Sequence, residues 1–225
     1  MKLKARVLAI VVLGLVAGAA NAVVTFVNLG IVAPPATLGP YSVPAFSQVP
    51  QAAISNGTSV TQVPGGPNGA VLTLSQLTQK ATVPLGGWNN WSNGYTGAVY
   101  FTTTNATPLT RLITLPAGTK AFYFYTEGDN FATVNVTVTP SPGAPVTQSV
   151  TTPNGANGFG FFTSGEDLVS VQVDIDPAAS GFAVGEFGLN SARAQAIPTL
   201  QPEMLAATLL LLLGAGIWAR RRRRA

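Results

Sequence analysis

The sequence predicts an all-β chain: a single antiparallel β-sandwich flanked by an N-terminal signal-peptide helix and a C-terminal transmembrane helix. Three observations carry this reading. Short runs rich in Val, Phe, Tyr and Thr recur between Gly, Pro and Asn turn signals at a spacing of roughly 8–12 residues, the rhythm of a sandwich. Two runs alternate with period two: residues 132–139 place Val134, Val136 and Val138 on one face, and residues 168–175 place Val169, Val171, Val173 and Ile175 inward. The long apolar stretches stand at the two ends, and no stretch between them has a convincing helical period.

Residues 1–22 come first. Lys2, Lys4 and Arg6 form a charged start, residues 7–19 are apolar, and Ala20-Asn21-Ala22 is a small-x-small cleavage site ahead of Val23. This is the pattern of a secretory signal peptide, which implies the Sec translocon and signal peptidase as partners. Residues 23–189 are the expected sandwich domain. Residues 23–32 read as its first strand. Prolines 34, 35, 40, 44 and 50 forbid a long regular element over residues 33–51, which reads as an extended edge segment. Residues 58–63 are an edge strand, 64–69 a strong turn, and 70–74 a short strand. Residues 86–97, rich in Gly and Asn around Trp88, Trp91 and Tyr95, form a loop. Strands follow over 98–103, 109–115, the aromatic run 120–126, 132–139, 146–152, 158–163, 168–175 and 181–189, with turns at 127–130, 140–145 and 164–167.

Residues 190–196 are a polar linker, and the tail begins at 197. Residues 204–219 are apolar and dominated by Leu and Ala, and Arg220 to Arg224 close the chain. At about 1.5 Å per residue this stretch covers about 24 Å, slightly short of a bilayer core of about 30 Å. Thinning and arginine snorkelling make up the difference, and the arginines hold the C-terminus on the cytoplasmic side.

Composition narrows the chemistry. The formal charge of +4 arises at the two ends. Between them Lys80, Arg111, Lys120 and Arg193 face Glu127, Asp129, Glu166, Asp167, Asp174, Asp176 and Glu186, so the domain is acidic and offers nucleic acid no basic patch. The absence of Cys and His removes disulfides, the usual zinc sites, Ser-His-Asp triads and thiol nucleophiles. No cofactor is implied.

The tail resembles the PEP-CTERM-like sorting signals of Gram-negative bacteria, in the variant called IPTL-CTERM. The match is Ile197-Pro198-Thr199-Leu200, then the apolar stretch, then the arginines. The Trp-Gly that usually follows the motif is missing here. The resemblance implies an exosortase-type processing enzyme as partner, a transient inner-membrane anchor, and delivery to the outer surface or extracellular matrix. Residues 98–189, with Phe-Tyr-Phe-Tyr at 122–125 and Gly-Phe-Gly-Phe-Phe at 158–162, resemble the exported jelly-roll-type domains found ahead of such signals, which are similar to galactose-binding-like sandwiches. Where those domains commonly carry Asp in the last strand, this chain has Gly185-Glu186.

Three function classes remain. The first is a structural or adhesive surface protein without enzymatic activity, as the sorting-signal resemblance implies. The second is a glycan- or exopolysaccharide-binding module in which Trp88, Trp91 and Tyr95 stack on sugar rings and Asn90 and its neighbours hydrogen-bond hydroxyls. In competition with it, both tryptophans cap the core. The third is a carboxylate-based glycoside hydrolase, which needs two acids about 5–9.5 Å apart. Glu127, Asp129, Asp174, Asp176 and Glu186 are also oxygen ligands of the kind calcium uses, but no repeat spacing joins them, and they read as solvated turn acids; no metal site is expected.

Overall fold

The computed structural model describes residues 23–85, 88–102 and 109–191. In chain order the strands are β1 (Val24–Gly30), β2 (Thr37–Leu38), β3 (Tyr41–Ser42), β4 (Ser59–Val63), β5 (Leu72–Thr82), β6 (Ala98–Phe101) and β7 (Thr110–Thr114). They continue with β8 (Thr119–Gly128), β9 (Thr133–Ser141), β10 (Val146–Thr151), β11 (Asn157–Thr163), β12 (Ser170–Ile175) and β13 (Phe182–Ser191). A short helix, α1 (Gln48–Ala52), lies between β3 and β4. It corrects the wholly extended reading of residues 33–51: the Ser47 hydroxyl accepts from the Val49 N–H at 3.4 Å as an N-cap.

All main strands belong to one antiparallel sheet, in the order β1-β11-β8-β13-β6-β5-β7-β12-β9-β10, with β4 pairing β5. β5 is the joint. Its residues Gln79 to Thr82 pair with β6 and its Thr73 and Leu74 pair with β7, with exposed Ser75, Gln76 and Leu77 between. One long bent strand thus belongs to two arms, as strands do at the corner of an orthogonal packing. At the far side, a Cβ at Gly143, in the β9–β10 turn, would lie 3.4 Å from the Val24 Cβ of β1. The sheet therefore nearly closes on itself. This corrects the predicted jelly-roll or galactose-binding-like sandwich: period-two alternation marks an inner and an outer face, but it is the same whether the sheet is split or folded over through a shared strand.

The two arms press their inner faces together. Phe122, Phe124, Phe159, Phe161 and Phe182 from the first arm (β1-β11-β8-β13-β6) meet Ile113, Val134, Val136, Val138, Val171 and Val173 from the second (β7-β12-β9-β10). Val169, expected inward, is 57% exposed. It precedes β12, and its N–H donates to the Ser141 carbonyl at 2.7 Å. The turn expected at 127–130 also shifts, because β8 continues through Glu127 and Gly128.

A second apolar layer covers the outer face of the first arm alone. Ala81, Val99, Ala121, Tyr123, Tyr125, Ala156 and Ala183 lie beneath Leu38, Val43, Trp88 and Trp91. The proline-rich strap that brings Leu38 and Val43 is tied down by Tyr125 Oη donating to the Val32 carbonyl at 2.6 Å and Tyr41 Oη to the Thr163 carbonyl at 2.9 Å. The Phe46 N–H donates to the Phe187 carbonyl at 2.8 Å.

Among the described residues, no helix is long and apolar enough to cross a membrane. The predicted signal peptide with Ala20 and Ala22, the motif Ile197 to Leu200, the apolar stretch 204–219 and the terminal arginines lie outside the described residues. The membrane-anchored part of the expected architecture and localisation is corrected accordingly and is not carried forward.

Candidate functional site

The site forms where β13 breaks step. Gly185 pairs with Tyr125 and Gly188 with Tyr123, so Glu186 and Phe187 together oppose the single residue Phe124. This is a bulge. Phe187 turns into the core, and Glu186 takes the left-handed conformation at φ 52°, a position where glycine is usual. Holding a glutamate there costs backbone strain of about 1–3 kcal/mol, which the surrounding contacts must offset.

Those contacts come from the 88–97 loop. Trp91 Nε1 donates to Glu186 Oε2 at 3.1 Å, and Asn93 Nδ2 donates to the same oxygen at 3.2 Å. Asn93 itself sits at φ 48°, which its short polar side chain tolerates. A Cβ at Gly185 would lie 3.3 Å from Trp91 Cζ2, so the absent side chain there leaves room for the indole. Glu186 is only 6% exposed. Burial pushes its carboxyl up to about 7, with the Asn93 and Trp91 hydrogen bonds opposing the rise.

Glu186 lines a groove of about 570 Å³. Pro34, Pro44 and Phe46 of the strap form one wall, and Tyr95 and Tyr123 stand with Glu186 on the other. Tyr123 reaches its place because Gly188 leaves room: a Cβ there would lie 2.1 Å from the tyrosine ring. The Tyr95 hydroxyl donates to the Ala98 carbonyl at 2.9 Å and meets the Glu186 backbone N–H and the Gln48 side chain. Gln48 Oε1 accepts from the Ala98 N–H at 2.8 Å. Burial first, then the neighbouring Glu186 charge, raises both tyrosines above their ordinary value, so both are neutral donors.

Of the four aromatic and amide residues singled out by sequence, Tyr95 lines the groove. Trp88 and Trp91 are each 6% exposed and close the outer layer, Trp88 against Phe101 with ring centroids 5.9 Å apart. Asn90 donates to the Thr152 carbonyl at 2.5 Å and fastens the loop to the far end of β10. The tryptophans therefore position the site rather than offering an open platform. Tyr123, Gln48 and the strap prolines were not anticipated. The signal for Glu186 was present: Gly185-Glu186-Phe187-Gly188 inside a strand is the pattern of a bulge.

The other acids are dispersed. Glu127 on β8 pairs with Ala183, is 2% exposed, and has no hydrogen-bond partner at Oε2, so it is not the solvated turn acid expected. Burial pushes its carboxyl up to about 8. It does not line the groove. Asp129 accepts from the Ser180 N–H, Asp176 from the Ala178 N–H, and Asp174 from Thr110 and Gln172. Among the described residues, no three acids converge on a position that could hold a metal.

No protein-family model and no curated protein matches the chain. The sorting-signal membership and exosortase link drawn from the tail are therefore not used in the functional reading. Among solved structures, the chain is similar to the enzymatically active domain of tailspike protein 4 of bacteriophage CBA120, at 12% identity and a TM-score of 0.28, over 60% of this chain and 20% of that one. The chain thus spans about a fifth of the length of the structure it matches. The expectation of a purely non-enzymatic chain is withdrawn, and the hydrolytic alternative is kept beside the binding one. At this TM-score the likeness carries no argument about what this chain does.

Proposed function

We propose that this chain binds carbohydrate in the groove between the strap and the bulge of β13. The observation that supports it is Glu186, held in a left-handed bulge by Trp91 and Asn93, in a groove it shares with Tyr95 and Tyr123. Sugar rings present C–H faces to aromatic side chains and hydroxyls to acceptors; Tyr95 supplies the first here and the Glu186 carboxylate the second. The test is a glycan array probed with the full chain and with Tyr95→Ala. Binding that weakens at least tenfold in the variant, while Thr137→Ala on the second arm binds as the parent does, supports the reading. Binding that survives Tyr95→Ala in a folded protein contradicts it.

A hydrolytic reading of the same groove is favoured by one observation: the Glu186 carboxyl, raised to about 7, keeps a transferable proton near neutrality. A second carboxylate would have to come from outside the residues lining the groove. Release of reducing ends from a bound oligosaccharide, abolished by Glu186→Gln, distinguishes hydrolysis from binding.

A further inference from the structure

On the carbohydrate reading proposed above, Glu186 bears on the charge of the sugar held in the groove. Glu186 Oε2 is occupied by Trp91 and Asn93, whereas Oε1 has no donor among the described residues. The residues lining the groove include this one acid and no basic side chain. The three cations among the described residues are engaged elsewhere. Arg111 is 1% exposed, in the second arm, and donates to Thr78. Lys120 pairs with Asp167 at 2.7 Å. Lys80 donates to Asn56 at 2.8 Å and Thr82 at 2.7 Å, and lines a separate pocket on the other side of Tyr95 and Gln48.

We infer that the sugar unit over Glu186 carries an amine, so that the groove selects amino sugars over neutral ones and disfavours uronic acids. A cationic nitrogen there gains charge attraction to the Oε1 side of the carboxylate and the electron-rich face of Tyr95. A uronate carboxylate would meet Glu186 without a compensating cation. The titratable groups facing Glu186 are Tyr95, Tyr123 and Tyr125, all raised and all neutral when Glu186 ionises, so the carboxylate sets the sign of the site.

The experiment uses the full chain and a panel of tetrasaccharide linkages. Each is presented in three matched forms: N-trimethylglucosamine, whose charge does not titrate, N-acetylglucosamine, and the corresponding uronate. Calorimetric titration at pH 8 is expected to give the cationic form at least tenfold tighter than the N-acetyl form, with the uronate weakest. That ratio should fall several-fold at pH 6, as Glu186 takes up its proton, and approach one in Glu186→Gln. The pH dependence of the parent chain tests the inference even if the variant fails to fold. Equal affinities for the cationic and N-acetyl forms, or a uronate that binds best, overturn this inference and leave carbohydrate binding standing. Failure of all three forms across the panel overturns both.

Discussion

The two arms of the sheet share one core but differ on their outer faces, and the difference locates the site. On the second arm the outer face is polar and wet: Thr137 meets Thr147 at 2.8 Å and Thr133 meets Thr151 at 3.1 Å, while Asn135, Ser149 and Gln172 are exposed. On the first arm the same face carries Ala121, Tyr123, Tyr125, Ala156 and Ala183 under a second layer. The interior is much alike in both. What separates them is the alternation of small residues with tyrosines outside β8, β11 and β13, which gives the strap and the tryptophan loop something to pack on. A groove arises where that cover is incomplete, at the bulge.

Substitutions can break this contrast in order of size. Tyr123→Ala removes a buried ring from the covered face and should cost about 3–5 kcal/mol, whereas Thr137→Ala on the bare face should stay within about 0.5 kcal/mol. Urea midpoints of the two variants check this directly. Next is Glu127, the unpartnered acid of the covered face. Its native value of about 8 lies above the ordinary 4.5, so the folded protein keeps a proton that the unfolded chain has lost. The parent therefore loses stability as pH rises from about 4.5 to 8 and levels off above, by at most about 5 kcal/mol. Glu127→Gln should match the parent near pH 4 and exceed it at pH 8; a parallel pH profile for the two proteins would contradict this burial. The smallest of the three is Gly188→Ala, where the added methyl meets the Tyr123 ring. It should cost about 1–3 kcal/mol by overpacking and weaken glycan binding together with stability.

The bare arm was largely legible in the sequence, because a strand with one wet face alternates. Val134, Val136 and Val138 of β9 are buried as their spacing says, with Asn135 out. The covered arm was not. β8 is buried on nearly every residue, and a run such as Phe122-Tyr123-Phe124-Tyr125 has no polar side to read. The joint was hidden for another reason: Ser75, Gln76 and Leu77 look like the end of a strand, yet they are the exposed bend within β5. In the loop the tryptophans were visible and their burial was weighed as the competing outcome, but the hydrogen-bond acceptor of Trp91 lies 95 residues away, where local pattern cannot reach. Glu186 was seen as an acid and not as the acceptor that Trp91 and Asn93 share.

The central claim is that ligand binds on the covered arm at the bulge. Hydrogen–deuterium exchange of the full chain, with and without a tetrasaccharide selected from the array, tests it most directly. The account predicts slowed exchange confined to residues 34–48, 91–98 and 185–189. Protection centred on β9, β10 and β12, with those three segments unchanged, would contradict it.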